Sequence, residues 1–200
     1  FAPHPPFFAP YEYYQEIEQE QLSLPQELPP DAPASRLKSG DPRWKLFTAY
    51  EKKRMKAGYY GLVKMVDDCI GEILETMDEF DLWEKTMVIF TVDHGEQMGD
   101  HGRYSKGVMR EPSVHIPFMI YHPEFAAGVR EELVEHVDVF PTICDVTGAE
   151  IPGKIEGRSL RPLLENKNNT DNWREFAFSQ LGRVNMIRTR TWKLNIYNQQ

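Results

Sequence analysis

Apolar residues recur through residues 44–80 at three- and four-residue steps: Tyr59, Leu62, Val63, Val66, Ile70, Ile73, Leu74 and Met77. That period places them on one face and predicts a helix. Asp81-Leu82-Trp83 reads as a turn. The pattern then becomes nearly continuous over Thr86–Val92, which predicts a strand buried on both faces, as in a parallel sheet. Ser113–Tyr121 predicts a second strand. Residues 131–147 predict a second helix with Leu133, Val137, Phe140, Ile143 and Val146 on one side. Pro141 lies inside it, which predicts a break near Val139 or a new helix starting there. Beyond Gly148, Ile151–Leu164 reads as loop with a short helical turn. Phe176–Phe178, Met186–Arg188 and Trp192–Tyr197 alternate enough to predict short antiparallel strands. The order loop, helix, strand, strand, helix, strands predicts an α/β fold: the second half of an α/β sandwich with a small antiparallel subdomain after it. No internal repeat interrupts this order.

The first 43 residues follow no such period. They hold nine of the chain's 15 prolines, together with Phe7, Phe8, Tyr11, Tyr13, Tyr14 and an acidic patch from Glu12 to Glu20. Proline at this density works against regular helix or sheet. The aromatics argue against a free disordered linker. The expectation is a long ordered loop laid over a larger body, of the kind that walls active sites.

Composition narrows the picture. Two hundred residues suit one domain, or one and a fraction. A net charge of −8 argues against a nucleic-acid binder, which needs a basic face. No apolar run approaches the roughly 18 residues of a membrane span. Phe1-Ala2-Pro3-His4 carries neither the basic nor the apolar region of a signal peptide. Cys69 and Cys144 sit in apolar-periodic segments and read as two buried, unpaired thiols, with a disulfide as the alternative. Asn168-Asn169-Thr170 is a formal glycosylation sequon of little weight.

Candidate chemistry concentrates after the first strand. Asp93, His94, Asp100, His101 and Lys106 fall within fourteen residues. Strand ends in open α/β sheets are where ligands bind. Asp93 and His94 at the strand terminus make a pair of metal ligands; the plain alternative is a capping Asp and a satisfied His at a tight glycine turn. Oxygen ligands alone favour Ca²⁺ or Mg²⁺, whereas imidazole tilts toward Zn²⁺ or Mn²⁺. Lys106 follows a segment with Gly95, Gly99 and Gly102 that can fold back on the strand end. There it can bind a tetrahedral anion and neutralise charge on a leaving oxygen; the alternative is a solvated lysine. His4, between Pro3 and Pro5, is held rather than mobile, and suits donation to an anion or to a leaving group; otherwise it is a loop histidine without consequence.

Asp93-His94-Gly95-Glu96, Gly99-Asp100-His101-Gly102, Lys106-Gly107, Glu111-Pro112-Ser113-Val114 and Ile116-Pro117 together resemble the sulfatase family of the alkaline-phosphatase superfamily. Phe1–Phe7 resembles its histidine-proline stretch, and Gly61–Gly71 the helix before its metal strand. Val137–Thr142, Gly157–Leu160, Ile187–Thr189 and Trp192–Leu194 resemble its later landmarks. The resemblance implies a portion of an alkaline-phosphatase-like α/β sandwich. Residues 1–43 would be a Pro/Tyr-rich active-site loop region, 44–150 the C-terminal half of the catalytic domain, and 151–200 the start of the C-terminal subdomain. It implies Asp93 and His94 as ligands of a divalent metal, usually calcium, with Mg²⁺, Mn²⁺ or Zn²⁺ as alternatives. Lys106 and His4 would be catalytic and substrate-binding contacts to the sulfate ester and its leaving oxygen. His115 stands where the family often has Arg, which leaves its role open.

Family members use a formylglycine made within Cys/Ser-x-Pro-x-Arg, and neither cysteine nor any serine here has that context. Asp67-Asp68 lies in the matched helix and does not serve as the family's N-terminal ligand pair. The expectation is therefore the C-terminal half of a sulfuric ester hydrolase, as a fragment or a processed chain, inactive alone and partnered by its N-terminal half. Its substrate would be a sulfate-ester small molecule or glycan, and its compartment periplasmic, secreted or lysosomal. The alternatives are a metal-dependent phosphodiesterase or phosphonate monoester hydrolase of the same superfamily, or a non-catalytic binding or assembly chain.

Overall fold

The computed structural model describes residues 2–27, 46–165 and 172–197. The sequon at 168–170, and residues 28–43 of the proline-rich region, lie outside them. The chain divides into two compact units, Phe1–Met119 and Ile120–Gln200. No helix among the described residues is long and apolar enough to cross a membrane.

In the first unit the predicted helix is α2, Ala49–Glu79, preceded by a single turn α1, Tyr11–Tyr14. A capping box starts α2: the Glu51 N–H donates to Thr48 Oγ1 at 3.2 Å and the Thr48 N–H donates to Glu51 Oε2 at 2.7 Å. The Thr48 N–H and the Thr48 hydroxyl, both donating to Glu51 Oε2, hold the Glu51 carboxyl below its usual range. Leu62 and Met77 of the apolar stripe are buried, while Ile73 remains 61% exposed. Cys69 shares the helix face of Leu62, seven residues earlier, yet is exposed rather than buried, because that face is left open there, as it is at Ile73. Cys144 is buried, and both thiols are free.

The proline-rich segment is ordered over its described part, as expected, but it contains α1 and a 3₁₀ turn at Gln19–Gln21. Pro10 permits α1 because it stands at the N-cap, where its missing N–H has no partner to lose. Lysines of α2 hold the segment by its carbonyls: Lys53 Nζ donates to Glu20 O at 2.9 Å and Lys56 Nζ to Ser23 O at 3.0 Å.

The first strand is β1, Val88–Thr91, and it forms a two-stranded sheet with β2, Phe118–Tyr121. The expected strand over Ser113–Tyr121 is only half strand. Glu111–Val114 instead forms a short helix, α3, with Pro112 in its first turn. Proline is favoured there, and Pro117 cannot donate to a ladder, so β2 begins after it.

In the second unit the helical pattern breaks where Pro141 predicted. A 3₁₀ turn at His136–Asp138 leads into α4, Val139–Thr147, which ends on Gly148 at φ 73°. Pro141 sits in the first turn of α4, where its missing donor is tolerated. The short helical turn expected within Ile151–Leu164 is α5, Arg161–Leu164. The antiparallel strands expected at the end are β3 (Ala177–Leu181), β4 (Val184–Arg188) and β5 (Lys193–Tyr197), with Leu181 opposite Val184 and Arg188 opposite Lys193.

A buried charge cluster organises this unit. The Asp138 carboxylate is fully buried. Its Oδ1 accepts the Arg158 N–H at 2.8 Å and Arg174 Nη2 at 2.5 Å, and its Oδ2 accepts the Glu135 N–H at 2.8 Å. Arg174 also donates to Glu135, whose other oxygen accepts the N–H of Phe178, the second residue of β3. Gly157 lets the Arg158 strand approach: a Cβ there would stand 1.8 Å from Val137 O. Thr142 completes the seam, donating to Asp138 O at 2.6 Å and accepting the Leu160 N–H at 2.9 Å. Removing one partner of such a cluster strands a buried charge. Arg174→Ala should therefore lower unfolding stability by about 3–5 kcal/mol. Arg161→Ala removes ion pairs to Asp145 and Glu165 at a side chain that is 40% exposed, and should move the urea midpoint far less than Arg174→Ala.

Candidate functional site

The segment after β1 is a closed turn built on left-handed backbone. Met98, Gly99, His101, Gly102, Ser105 and Gly107 all have positive φ, at 46°, 92°, 59°, 69°, 72° and 88°. Three of them carry side chains, and left-handed backbone is costly for such residues. The cost is met by hydrogen bonds across the turn. Gln97 N–H donates to Ser105 O at 3.1 Å and Gly99 N–H to Arg103 O at 2.8 Å. Both Met98 N–H and Ser105 N–H donate to Glu96 Oε1. Gln97, Met98, Val108, Met109 and Ser113 are buried and give the turn a small core, in which Gln97 Nε2 donates to Ser113 Oγ at 2.8 Å. Gly95 lies flat on α3: its N–H donates to Ser113 O at 3.0 Å, and a Cβ would meet Pro112 O at 2.0 Å.

Asp93 and His94 stand side by side at the strand end. Asp93 Oδ1 accepts the His94 N–H at 2.9 Å, and Asp93 Oδ2 lies 3.5 Å from His94 Nε2. His94 Nδ1 is 2.9 Å from Gly95 O. A carbonyl can only accept, so Nδ1 carries the proton and Nε2 presents its lone pair beside the carboxylate. An imidazole oriented by a backbone carbonyl, next to an 85% exposed carboxylate, suits a divalent cation. It supplies two donors. No group of three or more His, Cys, Asp or Glu assembles among the described residues.

Lys106 and His4, 102 positions apart, meet with Lys106 Nζ 2.5 Å from His4 Nε2. His4 Nδ1 lies 2.8 Å from Pro5 O, which again puts the proton on Nδ1 and leaves Nε2 to accept from the ammonium. Lys106 keeps two further N–H donors for a ligand. A cleft of about 270 Å³, lined by Ala2, His4, Pro5, Pro6 and Leu62, opens beside this pair.

The encounter is arranged by Phe7. Its ring meets Tyr59 of α2 edge-on at 5.4 Å and Tyr104 of the turn at 5.6 Å. Burial, with Glu96 nearby, pushes the Tyr59 phenol up and the Tyr104 phenol up to about 12. Phe7 reaches this position only because α2 has no side chain beneath it: a Cβ at Gly58 would stand 2.4 Å from Phe7 O. Gly61 plays the same part under Ala9, at 2.8 Å.

Asp100 and His101 serve the turn. Gln26 N–H donates to Asp100 Oδ1 at 3.0 Å, and His101 N–H donates to Gln26 O at 2.5 Å, tying the proline-rich segment to the turn. His115 is 79% exposed and lies 3.7 Å from Glu111. Glu96, Gly58, Gly61 and Phe7 have roles here that motif and periodicity did not assign to them. The helix-interior glycines were the available signal, because glycine there costs helix stability unless something lies against it.

A family model described as "Sulfatase" matches residues 1–149. The chain belongs to the sulfatase family. A second model, "N-sulphoglucosamine sulphohydrolase, C-terminal", matches residues 99–200. An arylsulfatase of Clostridium perfringens is 38% identical over 133 residues, covering 64% of this chain and 27% of its own length. The phosphonate monoester hydrolase of Silicibacter pomeroyi superposes with a TM-score of 0.84 at 29% identity, over 98% of this chain and 46% of that one. A protein solved in complex with its substrate D-glucosamine-2-N,6-O-disulfate has a TM-score of 0.65 at 28% identity, over 74% of this chain and 32% of that one. The chain thus spans between about a quarter and a half of the length of these relatives. The expected α/β class and superfamily architecture hold.

The two kinds of glycine in α2 should respond oppositely to alanine. Gly71 has nothing within 4 Å of a new Cβ, so Gly71→Ala should raise stability by roughly 0.5–1 kcal/mol. Gly58→Ala should instead lower the thermal midpoint and displace Phe7, which a histidine 15N NMR spectrum would register as loss of the His4–Lys106 contact.

Proposed function

We propose that the protein carrying this chain hydrolyses sulfate esters, with Lys106 and His4 contacting the ester. The observation that supports this most directly is the held pair itself. A lysine ammonium and an imidazole converge from distant parts of the chain, at the end of a turn that follows an Asp-His strand terminus. A sulfate monoester is a singly charged tetrahedral anion with a leaving oxygen that gains charge as the S–O bond breaks. The two Lys106 N–H groups beyond the one aimed at His4 suit its oxygens, and a proton passed through the Lys106–His4 contact would neutralise the leaving oxygen.

Asp93 and His94 would hold a divalent cation, calcium by family likeness, with further ligands from outside this pair. When bound, the metal would supply Lewis-acid polarisation of a sulfate oxygen. The nucleophile, a formylglycine in the family, would come from residues beyond these 200. The substrate is proposed as a sulfated small molecule or glycan; the solved relative with a disulfated glucosamine supports the glycan case.

A second reading, hydrolysis of phosphonate monoesters or phosphodiesters, is favoured by the high superposition on the phosphonate monoester hydrolase. Competition between an aryl sulfate and a phenyl phosphonate monoester in the intact natural protein separates the two by their kcat/KM ratio.

In that protein, Lys106→Ala should lower kcat/KM for an aryl sulfate roughly 100- to 1000-fold. Unchanged turnover would overturn the assignment. Chelation should abolish turnover, and Asp93→Asn should weaken divalent-cation binding measured by calorimetry; retention of both full activity and full affinity would remove Asp93 from the metal.

A further inference from the structure

We propose that Glu96 is a positioning residue that sets Lys106 against His4 by holding the turn before Lys106 in one conformation. The proposal deepens the reading above, since it rests on Lys106 being the ester-contacting cation. Glu96 Oε1 accepts two backbone N–H groups that are seven positions apart in the chain: Met98 at 3.2 Å and Ser105 at 2.5 Å. Both donors belong to residues with side chains in the left-handed region, at φ 46° and 72°. One carboxylate oxygen therefore pins both of these unfavourable backbone positions, near the two ends of the turn.

Ser105 immediately precedes Lys106. Its carbonyl accepts the Gln97 N–H at 3.1 Å, so the strand leaving the turn is laid back on the strand entering it, with Glu96 at the crossing. Arg103 Nη2 reaches Lys106 O at 3.3 Å from within the same turn. The carboxylate is half-buried beside Tyr59 and Tyr104, the two rings that grip Phe7. Glu96 thus bonds the turn that aims Lys106, and its charge is felt by both rings of the grip that aims His4. Without its acceptor, the two N–H groups lose their partner and the left-handed residues lose the bond that offsets their strain. The turn then relaxes toward ordinary backbone and carries Lys106 away from His4. A displacement of about 1 Å at such a contact costs on the order of 100-fold in rate.

The role needs an acceptor oxygen, not a charge. Glutamine keeps a carbonyl oxygen able to accept both N–H groups, and alanine keeps none. The test compares Glu96→Ala and Glu96→Gln in the intact natural protein by two readouts. Histidine-selective 15N NMR reports whether His4 Nε2 still accepts from Lys106, without any substrate. Turnover of an aryl sulfate gives kcat/KM. Glu96→Gln should keep the His4 signal and nearly wild-type turnover. Glu96→Ala should lose the signal and fall about 100-fold in kcat/KM, and that penalty should vanish when Lys106 is already alanine. A glutamine variant as impaired as the alanine variant would overturn the proposal. So would an alanine variant that keeps the His4 signal, or penalties of Glu96→Ala and Lys106→Ala that simply multiply. Should the wild-type protein hydrolyse no sulfate ester, the functional reading fails while the NMR comparison still decides the role of Glu96.

Discussion

Phe7 is gripped on two sides, by Tyr59 of the long helix and by Tyr104 of the turn after β1. Edge-to-face ring pairs of this kind contribute about 0.5–1.5 kcal/mol each beyond the area they bury. The grip matters more for what it places than for what it stabilises. His4 lies three residues before Phe7, and Lys106 two residues after Tyr104. Fixing the rings fixes the spacing of the two polar groups, and the absent side chain at Gly58 lets the first ring sit deep enough to reach the second.

The turn from Glu96 to Gly107 follows the same logic of strain held by surroundings. Six positive φ values in one short segment would not persist in isolation. They persist because the turn has a small core of its own and a carboxylate aimed inward at its backbone. Its outer edge is bound to Gln26 through Asp100 and His101. Residues that look like candidate ligands in the sequence are here the fastenings of a rigid support. In the second unit, Asp138 does a related task at full burial, gathering the backbone N–H groups of Arg158 and Glu135 and the guanidinium of Arg174.

The long helix, the first strand and the three antiparallel strands were legible because each depends on local periodicity and on which residues can border it. Pro141 marked the start of α4 for the same reason. The stretch at 113–121 was misread as all strand because Ser113 and Val114 suit a strand in isolation. Pro112 in a first helical turn and the packing of Gly95 against that turn decided otherwise. Cys69 was misplaced because periodicity marks a helix face and not which part of that face is covered: Leu62 is buried, whereas Cys69 and Ile73 on the same side are exposed.

Asp93 and His94 are adjacent in sequence, so their pairing at a strand end could be read from the chain. Lys106 and His4 could be named singly from their setting and their family likeness, but not as a contacting pair. A contact between residues 102 positions apart depends on loop closure, and no local preference encodes that. The sequence by itself determined which elements form and which side chains carry the candidate chemistry. The tertiary structure decided which of them meet: backbone at Gly58 and Gly95 approaches too closely for any side chain, and the Phe7 ring then brings His4 to Lys106 by packing on Tyr59 and Tyr104, contacts that only the folded chain provides.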